Sequence, residues 1–142
     1  MTLSSMPTAR HHAASAVVDG NIYVMDGRLT GSLVNVDVNE KCNPVLYEWT
    51  TDLQPMPSKR SGVVATSVNG SIYVLGDDQN QGTFNNNKRY DVATDTWSEE
   101  LPMPTARHGL GVASYDDKIY AIGGGPHTGL TVSNKNEIYY LN

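Results

Sequence analysis

Apolar positions in this chain fall in short runs of about five to seven residues, and none continues at the three-to-four spacing of a long helix. Three runs, AASAVV at 13–18, GVVATSV at 62–68 and GLGVASY at 109–115, each lead into a turn signal: Asp19-Gly20, Asn69-Gly70 and Asp116-Asp117. A two-residue hairpin turn demands residues that tolerate positive φ, so each pattern predicts a β-hairpin. The returning arms are nearly constant: IYVMDG at 22–27, IYVLGD at 72–77 and IYAIGG at 119–124. A third strand is predicted at 33–38 (LVNVDV), 86–92 (NNKRYDV) and 136–141 (NEIYYL), and a fourth, bearing tryptophan, at 48–53 (EWTTDL) and 96–101 (TWSEEL).

The units are copies of one another. MPTARH stands at 6–11 and again at 103–108, with MPSKRS at 56–61 between them, and Tyr23, Tyr73 and Tyr120 repeat at a period near fifty residues. Four short strands at that period is the pattern of a propeller blade. An inner strand opened by Arg and small residues, then IYVxGG, then Tyr-Asp, Thr and Trp resembles the kelch repeat. The second unit shows it best, with Gly76, Tyr90-Asp91, Thr94 and Trp97. The resemblance implies an all-β fold of kelch-type β-propeller blades, three four-stranded antiparallel blades per chain.

The glycine pair of the repeat is Asp26-Gly27 in the first unit, Gly76-Asp77 in the second and intact only as Gly123-Gly124. Asp tolerates left-handed backbone, so both departures read as conservative. Asp37 to Trp49 spans twice the distance of Asp91 to Trp97, which places an insertion containing Cys42 between strands three and four of the first unit.

One domain, 1–142, is expected: an orphan outer strand at 1–6, blade one at 7–54, blade two at 55–102, and blade three at 103–142. The last blade lacks a Trp-bearing strand, and an amino-terminal strand is expected to complete it. Three wedge-shaped sheets are too few to close a ring. A homodimer of half-propellers would give six blades, each amino-terminal strand closing its partner's third blade like velcro. A second half-propeller from another chain, or a longer propeller of which this is one piece, would also close the ring.

A net charge of −5 with no Lys/Arg cluster argues against a nucleic-acid or anionic-membrane partner. No apolar run is long enough to span a membrane as a helix, and MTLSS has neither the basic flank nor the apolar stretch of a signal peptide, so a soluble, cytoplasmic chain is expected. A single cysteine rules out an intramolecular disulfide or a cysteine-built zinc site.

Ala13, Ala14, Gly62, Gly109 and Gly111 suit the crowded inner strands, while Tyr23, Tyr73, Tyr120, Trp49 and Trp97 are expected between neighbouring blades, with Gly27, Gly76, Gly123 and Gly124 as structural turns. Arg10, Arg60 and Arg107 recur at the start of each inner strand, and with His11, Ser61 and His108 in the next column they form the candidate ligand-binding mouth of the channel. In some kelch proteins arginines near this place bind acidic ligands, which the resemblance extends to these positions; the structural reading is that each braces the ring. His11, His12, His108 and His127 lack a recurring third ligand, so no metal or other cofactor is expected. The Tyr, Cys and His constellation of kelch-type copper oxidases cannot be mapped here, and no strand-to-helix elbow presents a nucleophile. The loops at 28–33, 77–86 and 125–134, rich in Gly, Asn and Thr, suit protein, peptide or glycan ligands. The expected function is a non-catalytic binding module. The alternative is a sugar-acting enzyme of the kelch mutarotase or epimerase type, for which no carboxylate recurs at the mouth in all three units.

Overall fold

The computed structural model describes residues 1–31, 34–79 and 82–141, and no helix occurs among them. The first sheet is a meander of β1 (Ala14–Val18), β2 (Asn21–Met25), β3 (Asn39–Asn43) and β4 (Glu48–Thr50), in spatial order β1-β2-β3-β4. The second repeats it with β5 (Val64–Val68) and β6 (Ser71–Leu75), a small β7 (Asp78–Gln79) and β8 (Gly82–Thr83) ribbon, then β9 (Asn87–Asp91) and β10 (Thr96–Glu99). The third holds β11 (Gly111–Tyr115), β12 (Lys118–Ile122) and β13 (Asn136–Tyr140), all pairings being antiparallel.

The three inner hairpins close as predicted, because each turn has positive φ at both central residues: 47° and 74° at Asp19-Gly20, 49° and 74° at Asn69-Gly70, and 46° and 53° at Asp116-Asp117. The inner strands lie side by side, with Ser67 Oγ donating to Val17 O at 2.8 Å and Ser114 Oγ to Ser67 O at 3.0 Å.

The third strand of the first unit differs from its prediction at 33–38. It is β3, six residues later, with Met25 opposite Asn39 and Ile22 opposite Cys42. Turn chemistry overrides the alternation of Val and Asp. Asn43 Oδ1 accepts from the amides of Val45 (2.9 Å) and Leu46 (3.0 Å), as Asp91 Oδ1 accepts from Ala93 (3.0 Å) and Thr94 (3.1 Å). Cys42 pairs with Trp49 as Tyr90 pairs with Trp97, so the insertion lies before strand three and Cys42 takes the tyrosine's column. Leu33, where the predicted strand began, lies outside the described residues, as do Ser32, Asn80 and Gln81 of the loops and Asn142 of blade three.

Residues 1–6 form no strand and lie against the first sheet, where Trp49 Nε1 donates to Ser4 O at 3.2 Å. Residues 51–56 run along the second sheet in the same way, Trp97 Nε1 donating to Gln54 O at 3.0 Å.

Two apolar layers hold the three sheets together. Ala14, Val18, Tyr23 and Met25 of the first sheet meet Ile72, Val74 and Tyr90 of the second, with Met56 and Val63 between them. The opposite face of the second sheet presents Tyr73 and Leu75 to Ile119 and Ala121 of the third, with Met103 and Leu110. The period of two along β6 thus serves both neighbours, Ile72 and Val74 facing back while Tyr73 and Leu75 face forward. Each fully buried side chain contributes about 1.5–3 kcal/mol. Tyrosine pairs cross both layers at the same spacing, Tyr23 with Tyr90 and Tyr73 with Tyr139, each at 6.1 Å between ring centroids.

The first position of the glycine pair is left-handed in every unit, φ being 55° at Asp26, 73° at Gly76 and 71° at Gly123. At the second position Gly124 has φ +81° and sits so close to the preceding loop that a Cβ would lie 2.7 Å from His108 O and 2.8 Å from Leu110 Cβ. Gly129 has a similar φ of +84° but open space around it. Gly129→Ala should therefore cost about 1 kcal/mol, the backbone cost alone. Gly124→Ala should cost about 3 kcal/mol or more, because contact is added to strain. Urea midpoints of the two variants measure the difference.

Candidate functional site

The start of each inner strand, the end of each second strand and the loop between strands two and three share one end of the molecule, and the Arg and His columns gather there. Arg10 Nε donates to Asp26 O (2.7 Å), Nη2 to Val24 O (2.9 Å), and Nη1 to Thr8 O (2.8 Å) and Glu40 Oε2 (2.5 Å). Thr8 Oγ1 completes the carboxylate, donating to Glu40 Oε1 at 2.7 Å. The third unit repeats this arrangement: Arg107 donates to Gly123 O (2.6 Å), Ala121 O (3.2 Å) and Glu137 Oε2 (2.8 Å), and Thr105 Oγ1 to Glu137 Oε1 (2.6 Å). Both guanidiniums are sealed from solvent. Burial pushes the Glu137 carboxyl up, but the Thr105 hydrogen bond and the Arg107 charge outweigh it and hold the group below the usual carboxylate range.

Sequence reasoning missed both carboxylates. Once β3 is placed correctly they are legible as one column, NEKCN at 39–43, NKRYD at 87–91 and NEIYY at 136–140, in which Glu40 and Glu137 correspond to Lys88.

With Lys88 in the acid's place, the second unit is built differently. Lys88 turns outward to Glu99, and Arg60 bonds Ser58 Oγ (2.7 Å) while lying 3.9 Å from Asp77 Oδ2. With its amide oxygen turned inward, Asn86 accepts from Arg60 Nη1 (2.6 Å) and Nη2 (3.0 Å). Asp26 of the first sheet faces the same guanidinium; it is fully buried, and neither carboxylate oxygen has a hydrogen-bond partner. Both departures from the glycine pair therefore lie in one buried charge cluster. Burial raises Asp26 from its ordinary 3.8 to about 8; Asp77 and Asp37 add to the rise, and Arg60 and Arg10 oppose it. Burial also lowers Arg60.

The solvent-facing groups of this end are the imidazoles and the loops. His11 and His12 are exposed, their Nδ1 atoms in close contact. Ser61 is buried, and His108 is half-buried with its Nδ1 sealed and without a hydrogen-bond partner. Beside His108 a cavity of about 350 Å³ is lined by Gly124, Gly125, Gly129, Thr131 and Ser133, with the side chains of Leu130 and Val132 at its rim almost fully exposed. The loop is tied across this cavity by Thr131 Oγ1, which donates to His127 O at 2.6 Å and accepts from His127 N at 3.2 Å. Among the described residues no three His, Cys, Asp or Glu side chains converge in metal-ligand geometry. No described helix is long and apolar enough to cross a membrane.

No family model matches the chain. Kelch-like protein terF of Aspergillus terreus is 31% identical over 100 residues, which cover 68% of this chain and 22% of that protein. Beta-scruin of Limulus polyphemus is 34% identical over 74 residues, 52% of this chain and 8% of that protein. The chain therefore spans less than a quarter of the length of either relative.

The buried charge cluster sets a pH dependence. With a folded value near 8 and an unfolded value near 3.8, Asp26 holds a proton in the folded state that the unfolded chain has released, so its contribution to stability falls as pH rises from about 4 to 8. Asp26→Asn, a neutral isostere, should match the parent near pH 4 and exceed it by on the order of a few kcal/mol at pH 8.5. Thermal melts across that range give the comparison.

Proposed function

The chain belongs to the kelch-repeat family, and on that premise we propose that it is a non-catalytic binding module, a half-propeller whose ligand-facing surface is the end carrying His11, His108 and the loop at 125–134. The supporting observation is the state of the arginines. Arg10 and Arg107 bond backbone carbonyls and a carboxylate of their own sheet, so they shape the mouth, while imidazoles and loop amides meet the ligand. The carboxylates that recur, Glu40 and Glu137, are held in the same bonds, so neither is free to serve the sugar-converting alternative as an acid or base. Peptide or glycan ligands suit the cavity beside His108, whose lining is glycine and hydroxyl with an apolar rim.

Assembly from two copies is part of the proposal. The forward face of the third sheet carries Tyr120 and Ile122 in the columns where Tyr23 and Met25, and Tyr73 and Leu75, are buried. There Ile122 is 48% exposed, Ile138 40% and Tyr115 68%. Ile22 and Val24, in the columns of Ile72 and Val74, make the complementary backward face of the first sheet. Bringing these faces together twice around a two-fold axis would bury both and set Tyr120 of one copy opposite Cys42 of the other. The sequence-based expectation that an amino-terminal strand completes the partner's third blade belongs to the same proposal.

Light scattering should give twice the 15.4 kDa chain mass; a folded monomer at 15.4 kDa would overturn the two-copy ring. In a screen of glycans and small acidic peptides, His108→Ala should weaken binding about tenfold, and NMR of reducing-sugar anomers should show binding without faster exchange. Exchange that is accelerated by the protein and abolished in Arg60→Ala would make it an enzyme instead.

A further inference from the structure

In every unit the second residue after the recurring arginine is left-handed: φ is 57° at His12, 67° at Gly62 and 58° at Gly109. Two units meet this demand with glycine, whereas the first places an imidazole there, at a conformational cost that glycine escapes. Packing does not explain the exchange. His12 is exposed, and in the third unit a Cβ added at Gly109 would meet no atom within 4 Å. The pair His11-His12 is thus peculiar to the first unit, with Ser61-Gly62 and His108-Gly109 in the other two.

The left-handed residue decides where its side chain goes. Successive side chains of an extended segment leave on opposite sides, yet the rings of His11 and His12 lie edge to face, their centroids 4.6 Å apart and their planes at 72°, with the two Nδ1 atoms in contact. The backbone beneath them is fastened on both sides. His11 N donates to Arg28 O (3.0 Å), Arg28 N to His11 O (2.8 Å), and Gly62 N to His12 O (3.0 Å). Arg28 Nε donates to Asn35 Oδ1 at 3.0 Å. Two ring nitrogens attract each other only when one carries a hydrogen and the other a lone pair, so the space between the rings is a two-nitrogen site that a proton occupies.

We propose that His11 and His12 form a two-imidazole chelate for a divalent d-block cation such as zinc. Neutral imidazole suits zinc, copper and nickel, whereas magnesium and calcium take oxygen donors. When the ion enters, the hydrogen between the rings moves to a solvent-facing Nε2, and both Nδ1 lone pairs turn to the metal at a Zn–N length of about 2.0–2.1 Å. No third His, Cys, Asp or Glu joins the pair among the described residues, so the other positions of a four-coordinate ion fall to water or to a donor atom of a guest. Neither His108 nor the loop at 125–134 takes part, and the site is independent of what binds there.

Zn2+ alone is the probe, titrated into the intact protein and read by calorimetry and by NMR of the imidazole nitrogens. A single equivalent should bind, moving the Nδ1 resonances of His11 and His12 and leaving those of His108 and His127 in place. His12→Gly installs the residue that the other two units carry, so it should melt no lower than the parent while binding Zn2+ at least about tenfold more weakly. A free peptide of residues 8–15 should also bind at least about tenfold more weakly than the protein, because nothing holds its two rings together. No binding of Zn2+, or undiminished binding by His12→Gly, would overturn the proposal. So would shifts confined to His108 or His127, or a peptide as tight as the protein, which would make the pair an ordinary flexible chelate that owes nothing to the fold. Glycan and peptide binding, measured without metal, bears only on the function proposed above.

Discussion

A guanidinium sealed from solvent at the start of the inner strand organises one end of the first and of the third sheet. Arg10 reaches the carbonyls that terminate β2 and a carboxylate on β3, so one side chain holds three strands in register, and Arg107 does the same for β11, β12 and β13. An isolated buried charge would be prohibitive, but here several oxygens surround it, and a threonine hydroxyl satisfies part of the carboxylate. Because strand two ends in left-handed residues, its last carbonyls turn toward the arginine instead of continuing the ladder. The left-handed turn and the ion pair therefore depend on each other.

In the second sheet one member of this brace is exchanged. Lysine in the acid's position cannot accept from an arginine, and Arg60 finds its negative charge one strand away at Asp77 and across the sheet boundary at Asp26. Two buried carboxylates then share one guanidinium, and burial drives Asp26, neither of whose oxygens has a hydrogen-bond partner, toward its neutral form. This cluster replaces a local brace by a link between two sheets.

Much of this architecture is written in short-range chemistry and was legible for that reason. Asp-Gly and Asn-Gly turns and the Ile-Tyr arms mark the hairpins, because the conformational demand is met by two adjacent residues. The first unit's third strand was not legible from alternation, since LVNVDV has the composition of a strand while NEKCN does not. Its position is set by an Asn43 side chain capping the next turn and by Glu40 meeting an arginine thirty residues away. The candidate mouth was half legible. Columns of Arg and His show in the repeat, but whether an arginine faces ligand or protein depends on acids that align only after the strand is correctly placed.

The charge cluster also bears on how such repeats multiply. Arg60, Asp77 and Asn86 sit within one unit, but Asp26 comes from the unit before it. A copy of the second unit inserted after the third would meet Gly123 in that place and so lose a buried acid. A copy of the first unit set in front of itself would face Arg10, already satisfied by Glu40, with an aspartate that has no cation of its own. Duplication is thus electrostatically asymmetric: the middle wedge is transferable along the chain, whereas the first is tied to the neighbour on its carboxyl-terminal side.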